Sequence, residues 1–298
     1  MKFANNLFVA ALLLGGAGAS ADADSMAGAL LEALLAEASR GGQYRAPDEG
    51  EVTRAEQLFA RLLAGESASA LAAELSALGL ELHALPDDPT ARVLREAASE
   101  RRGRGLFVLR PGVRGDVLQV PHSFKDRQTR EIGLLLFAEG RFAAAAWNTV
   151  PRWQEHEGRR IDSDLAHQPV SYFNAFTRAL GRHAPLSRVL QIHGFDPGKR
   201  KSRLAAEAAI ILGNGSERST PPLRTTGDCL SRRLAVTVGV YPDSVRELGG
   251  TTNAQATALR GIGHDGFLHV EMSAVFRERM LTDPATRSIW LNCLQSPR

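Results

Sequence analysis

From residue 105 onward the chain alternates short apolar runs with stretches of helical periodicity. The runs 106–109, 117–120, 143–147, 188–192, 208–212, 234–240 and 267–270 read as strands. Between them, helices are expected from Thr129 through Ala138, from Ser171 to Arg182 and around Leu223 to Arg233; Ser273 and Asp283 cap two more. Alternation of this kind constrains the fold more than any other feature. It predicts a three-layer α/β/α arrangement, with a mostly parallel or mixed central sheet covered by helices on both faces.

The front of the chain has a different texture. Residues 25–100 are rich in Ala and Leu and read as helical. Leu30, Leu31, Leu34 and Leu35 recur at helical spacing, and Gly41-Gly42 end that run. Thr53-Arg54-Ala55-Glu56 reads as a capping box opening a helix through Leu63, and Ser69 as the cap of a third helix ending at Gly79. The expected organisation is a signal segment over 1–21, a helical subdomain over 22–104 and an α/β domain over 105–298.

Residues 1–21 resemble a secretory signal. Lys2 gives a positive start, Leu7 to Leu14 an apolar core, and Ala17-Gly18-Ala19 and Ala19-Ser20-Ala21 small-x-small cleavage sites. The apolar core is too short to span a bilayer, so a periplasmic or secreted protein with no membrane span after signal removal is expected. In such a compartment Cys229 and Cys293 can form a bridge if their backbones approach, which sequence does not decide. A net charge of +3, with no basic stretch interleaved with aromatics, gives no reason to expect nucleic acid.

Four polar residues sit at or just past the ends of apolar runs or at a helix start: His122, Glu131, His193 and Glu271. Strand ends are where α/β proteins collect reactive side chains. Two imidazoles and a carboxylate can hold a catalytic Zn2+ with its fourth position open, and a further carboxylate can take a proton from water. The expected metal ligands are His122, Glu131 and His193, with Glu271 as the catalytic base. Asp126 reads either as a support that orients His122 through its other ring nitrogen or as a turn-capping Asp. Asn148 and Arg152 are the candidate substrate-binding residues, Arg152 because a guanidinium grips a carboxylate with two hydrogen bonds. His167 is the rival to His193 as second histidine, and Asp164 reads as a helix cap or Arg partner. Gly249 to Gln255 reads as a turn into a helix at the rim, and His264-Asp265-Gly266 as a surface turn. Gly213-Asn214-Gly215-Ser216 lacks the order of a nucleophile elbow.

Over residues 116–296 these phrases resemble the zinc-dependent N-acetylmuramoyl-L-alanine amidases, with poly-γ-glutamate hydrolases and N-formylglutamate amidohydrolases as broader relatives. The resemblance implies that His122, Glu131 and His193 bind zinc and that Glu271 is the base. It also implies amide hydrolysis in a peptidoglycan fragment or acidic peptide. The chain departs from the amidase pattern where Ser-Phe-Lys-Asp follows His122 and where Glu271-Met272-Ser273 lacks Gly-Phe. The alternative expectation is a non-catalytic envelope protein that binds cell-wall fragments through the same cleft.

Overall fold

The computed structural model describes residues 29–86 and 88–295. The proposed signal segment lies outside them. Helix α1 covers 29–38. Helix α2 (Glu49–Leu63) begins four residues before Thr53, because Asp48 and Glu51 cap each other reciprocally: Glu51 N–H donates to Asp48 Oδ1 at 2.7 Å and Asp48 N–H to Glu51 Oε2 at 3.0 Å. Helix α3 (Ala72–Ala77) starts at Leu71 without a side-chain cap, so Ser69 does not cap it.

The expectation of helix through residue 100 fails at Leu80. Strands β1 (Leu80–Leu85) and β2 (Asp88–Glu96) form an antiparallel hairpin. Leu80 and Leu82 alternate with Glu81 and His83, a period of two that strands share and helices do not. The hairpin joins β3 (Leu106–Leu109), β4 (Asp116–Val120) and, after α4 (Thr129–Glu139), β5 (Phe142–Trp147). A small separate hairpin, β6 (Trp153–His156) and β7 (Arg159–Asp162), precedes α5 (Tyr172–His183). Then follow β8 (Val189–Gly194), α6 (Arg203–Glu207), β9 (Ile210–Gly213), α7 (Pro221–Leu234), β10 (Val238–Val240), α8 (Ala254–Gly261), β11 (Phe267–Met272), α9 (Ala274–Thr282) and α10 (Pro284–Leu294). The run from Leu234 is strand only from Val238, because α7 continues to Leu234 and Ala235 turns the chain at φ +52°.

One nine-stranded mixed sheet runs in the order β1-β2-β3-β5-β4-β8-β11-β9-β10, so the three-layer α/β/α expectation holds. Its centre, β5-β4-β8-β11, is parallel. Parallel neighbours bring their C-terminal ends to one edge, and there His122, His193 and Glu271 gather. Helices α1, α4, α7, α9 and α10 bury their apolar sides on one face of the sheet, and α2, α3, α5 and α8 on the other. The helical front is therefore split across both faces of the sheet. Cys229 on α7 and Cys293 on α10 are bonded, with Cα atoms 5.7 Å apart. No helix among the described residues is long and apolar enough to cross a membrane.

Phe59 of α2 is fully buried against Phe107 of β3 (ring centroids 4.9 Å) and Phe176 of α5 (5.1 Å). Truncating a buried Phe loses its transfer energy and leaves a cavity. Phe59→Ala is expected to cost about 3–5 kcal/mol in urea unfolding. An unchanged midpoint would mean that α2 is a detachable appendage.

Candidate metal centre

The site is built from a turn and two strands. After β4, the His122 carbonyl accepts from Asp126 N–H at 2.9 Å, a single helical turn that puts the two side chains on one side. Asn148 fixes this turn: its Oδ1 accepts from Ser123 N–H (2.8 Å) and Ser123 Oγ (2.6 Å), and its Nδ2 donates to Val150 O (2.7 Å). Gly194 N–H, just past His193, donates to Asp126 Oδ2 at 3.1 Å.

Hydrogen bonds set the direction of both imidazoles. Thr177 Oγ1 donates to Phe173 O at 2.9 Å, so it must accept from Gln119 Nε2, 2.8 Å away. Gln119 Oε1 then accepts from Gln191 Nε2 at 3.1 Å. The other proton of Gln191 Nε2 goes to Gln255 Oε1 at 3.1 Å, and Gln255 Nε2 is itself committed to Leu165 O at 2.8 Å. Gln191 Oε1 is thus an acceptor, and His193 Nε2, at 2.9 Å, carries the proton. His122 is fixed more directly. Its Nε2 lies 2.7 Å from Asp164 Oδ1, whose other oxygen accepts from Arg152 Nε at 2.8 Å. Burial raises the Asp164 carboxyl, but the hydrogen bond with His122 and the charges of His122 and Arg152 outweigh it and hold it at about 2. Asp164 is therefore an acceptor and His122 Nε2 a donor.

When both rings are neutral, both Nδ1 atoms carry lone pairs, and they face each other at 3.0 Å. Asp126 Oδ2 lies 3.5 Å from the Nδ1 of His122 and 3.4 Å from that of His193. Three acceptors packed this closely repel one another unless a cation lies among them. Ligands about 2.0–2.1 Å from a tetrahedral metal sit about 3.3–3.4 Å apart, so the triangle fits one. His122, Asp126 and His193 form one buried group able to hold a metal. Burial pulls His193 down to about 4, so it is a neutral ligand at neutral pH. Burial also pulls His122 down, but the hydrogen bonds of Asp126 and Asp164 reverse this and raise it.

His193, His269 and Glu271 form a second such group, with donor atoms within 4.8 Å of one another. On β11, His269 and Glu271 point to the same face, and Glu271 pairs in register with His193. The His269 ring lies 4.5 Å from that of His193. Burial, and then the charge of Asp126, push Glu271 up to about 8. The residues open onto a cleft of about 810 Å³ whose lining also includes Lys125, Arg127, Arg152, Arg200 and Arg277.

The structure departs from the sequence expectations at several positions. Glu131 is exposed in the first turn of α4 and belongs to neither metal-holding group; the turn at 122–126 brings Asp126 to the cleft instead. Its place suits an acid at a helix N-terminus. Asn148 is 1% exposed, spends its amide on the His122 turn and is not among the residues that line the cleft. Arg152 lines the cleft but is tied to Asp164, where it supports His122. His167 reaches the rim, with Nδ1 3.0 Å from Thr252 O, and stands outside both groups. His264 is buried, so its segment is not a plain surface turn. His269 joins the second group, and its alternation with Glu271 in Leu-His-Val-Glu is the sequence signal that marks it.

No family model matches the chain, and no curated protein matches it in sequence. Among solved structures, a "putative metallopeptidase" from Shewanella amazonensis aligns over 76% of this chain and 91% of that one, with 12% identity and a TM-score of 0.39.

Zinc titration should separate the two acids. Asp126→Ala removes a proposed ligand and should abolish tight zinc binding, whereas Glu131→Ala should bind like the wild type. The reverse pattern in metal analysis after dialysis would return Glu131 to the site.

Proposed function

We propose that the protein is a metal-dependent hydrolase, with zinc as its metal and an amide bond as its target. The observation that carries this reading is the triangle of His122 Nδ1, His193 Nδ1 and Asp126 Oδ2, with sides of 3.0, 3.4 and 3.5 Å. Two imidazoles and one carboxylate, with a position left for water, are the donor set of catalytic zinc. A zinc ion there would lower the pKa of water toward about 7 and polarise a carbonyl.

The protein's own groups supply the rest. Asp164 and Gln191 hold the two imidazoles with their Nδ1 atoms inward, and Arg152 holds Asp164. Partners of this kind fix ligand orientation and tautomer. Glu271 stands beside His193 and is the group to move the proton. Burial pushes its carboxyl up to about 8, and a cation nearby favours its carboxylate. As carboxylate it takes a proton from the attacking water and returns it to the leaving nitrogen.

The cations along the cleft favour an anionic substrate, such as a cell-wall peptide or a glutamyl chain. The signal-like start at 1–21 and the Cys229–Cys293 bridge support export to the periplasm or beyond.

The test separates binding from chemistry. Glu271→Gln should keep zinc at wild-type occupancy and lower turnover of muramyl peptide or poly-γ-glutamate by about 10²–10⁴-fold. Unchanged turnover in that variant would remove Glu271 from the chemistry. Zinc bound by the wild type with no cleavage of either substrate would favour a protein that only binds cell-wall fragments.

A further inference from the structure

The direction of the Gln191 amide decides which nitrogen of His193 carries the proton. A residue with no part in the account above fixes that direction from the opposite side. Asn253 caps helix α8 and is 2% exposed. Its Oδ1 accepts from Gln255 N–H and from Ala256 N–H, both at 3.0 Å. A backbone N–H can only donate, so this amide has one orientation: its oxygen faces the first turn of α8 and its nitrogen faces away. Asn253 Nδ2 donates to Gln191 Oε1 at 2.5 Å. That oxygen is the one that also accepts from His193 Nε2.

The tie is short and firmly anchored. Asn253 N–H donates to Gly250 O at 3.0 Å, and Asn253 O accepts from Thr257 N–H at 3.1 Å. The route from backbone through Thr177 and Gln119 passes two side chains before it reaches Gln191, whereas the route through Asn253 passes one. Gly249 to Thr252, just before it, line the cleft, so the tie joins the rim to His193. A helix cap alone does not call for Asn here. Asp caps about as well, and the positive end of a helix favours it. An Asp, however, would set an oxygen against Gln191 Oε1. An amide accepts from the helix and donates to Gln191 at once.

We propose that Asn253 is a positioning residue that keeps the proton of His193 on Nε2 and so leaves the Nδ1 lone pair turned toward the metal position. This rests on the metal reading and adds a residue outside the ligand set that acts only through Gln191. In Asn253→Asp the new carboxylate and Gln191 Oε1 repel. The Gln191 amide turns over to donate to the carboxylate, and His193 Nε2 then meets an N–H in place of an oxygen. The His193 proton moves to Nδ1 and occupies the lone pair that a metal needs.

Long-range proton–nitrogen correlation spectra of metal-free protein labelled with nitrogen-15 histidine read this tautomer at neutral pH. The wild type should show His193 protonated on Nε2, and Asn253→Asp should show it protonated on Nδ1. Chelator competition should find zinc held about 10–100-fold more weakly by Asn253→Asp, the usual effect of losing a group that orients a ligand. The urea midpoint should stay close to that of the wild type, because the cap is kept. A wild type with His193 protonated on Nδ1 would overturn the proposal. So would a folded Asn253→Asp that keeps the proton on Nε2 or keeps wild-type zinc affinity, which would leave Asn253 a helix cap only. If Asn253→Asp does not fold, Asn253→Ser decides: it keeps a capping oxygen and removes the donor, and unchanged zinc affinity there would overturn the proposal. A reversed tautomer in Asn253→Asp, with no zinc bound by the wild type, would support the positioning role and refute the metal reading, so the two claims fail separately.

Discussion

Two imidazole lone pairs aimed at each other across 3.0 Å, with a carboxylate oxygen beside both, are the constraint around which this molecule is arranged. Acceptors repel unless a cation lies among them. The surrounding hydrogen bonds keep the rings from escaping the repulsion by turning over. For His193 the chain of donors runs through Gln191, Gln119 and Thr177 to a backbone carbonyl of α5, and each link leaves one way to assign the protons. For His122 the lock is the ionised Asp164, held in turn by Arg152. The interior accepts Gln119 and Gln191 because their amides are hydrogen-bonded; buried polar groups left unpaired would cost far more.

The fold serves that arrangement. Parallel pairing of β4, β8 and β11 puts Gln119, Gln191 and His269 side by side and sets Glu271 next to His193. Alternation along each strand sends these polar residues to the face under α5 and α8. Leu118, Leu190, Ile192, Val270 and Met272 go to the other, into the apolar core there. A one-residue slip of β8 would turn His193 and Gln191 into that apolar layer and Ile192 toward the metal. Packing on the apolar face therefore protects the geometry of the site.

The sequence made the layered fold legible because its strands are short apolar runs, and it showed His122, His193 and Glu271 because each interrupts or ends such a run. It hid Asp126 behind Glu131. Distance along the chain does not reveal that a helical turn uses up residues 122–126 before α4 begins. The hairpin of β1 and β2 was masked by Ala and Leu, which suit helix as well as core. Gln119 and Gln191 stood in plain view as polar breaks in strands, but their partners Thr177 and Gln255 come from helices far away in the chain.

The account turns on one cation position. A crystal of the zinc-loaded protein, measured at the zinc absorption edge, should show one anomalous peak about 2.0–2.1 Å from His122 Nδ1, His193 Nδ1 and an oxygen of Asp126. Nε2 of His122 and of His193 should still face Asp164 and Gln191. A peak bound through either Nε2 atom, a peak at Glu131, or no peak near His122 and His193 would contradict it.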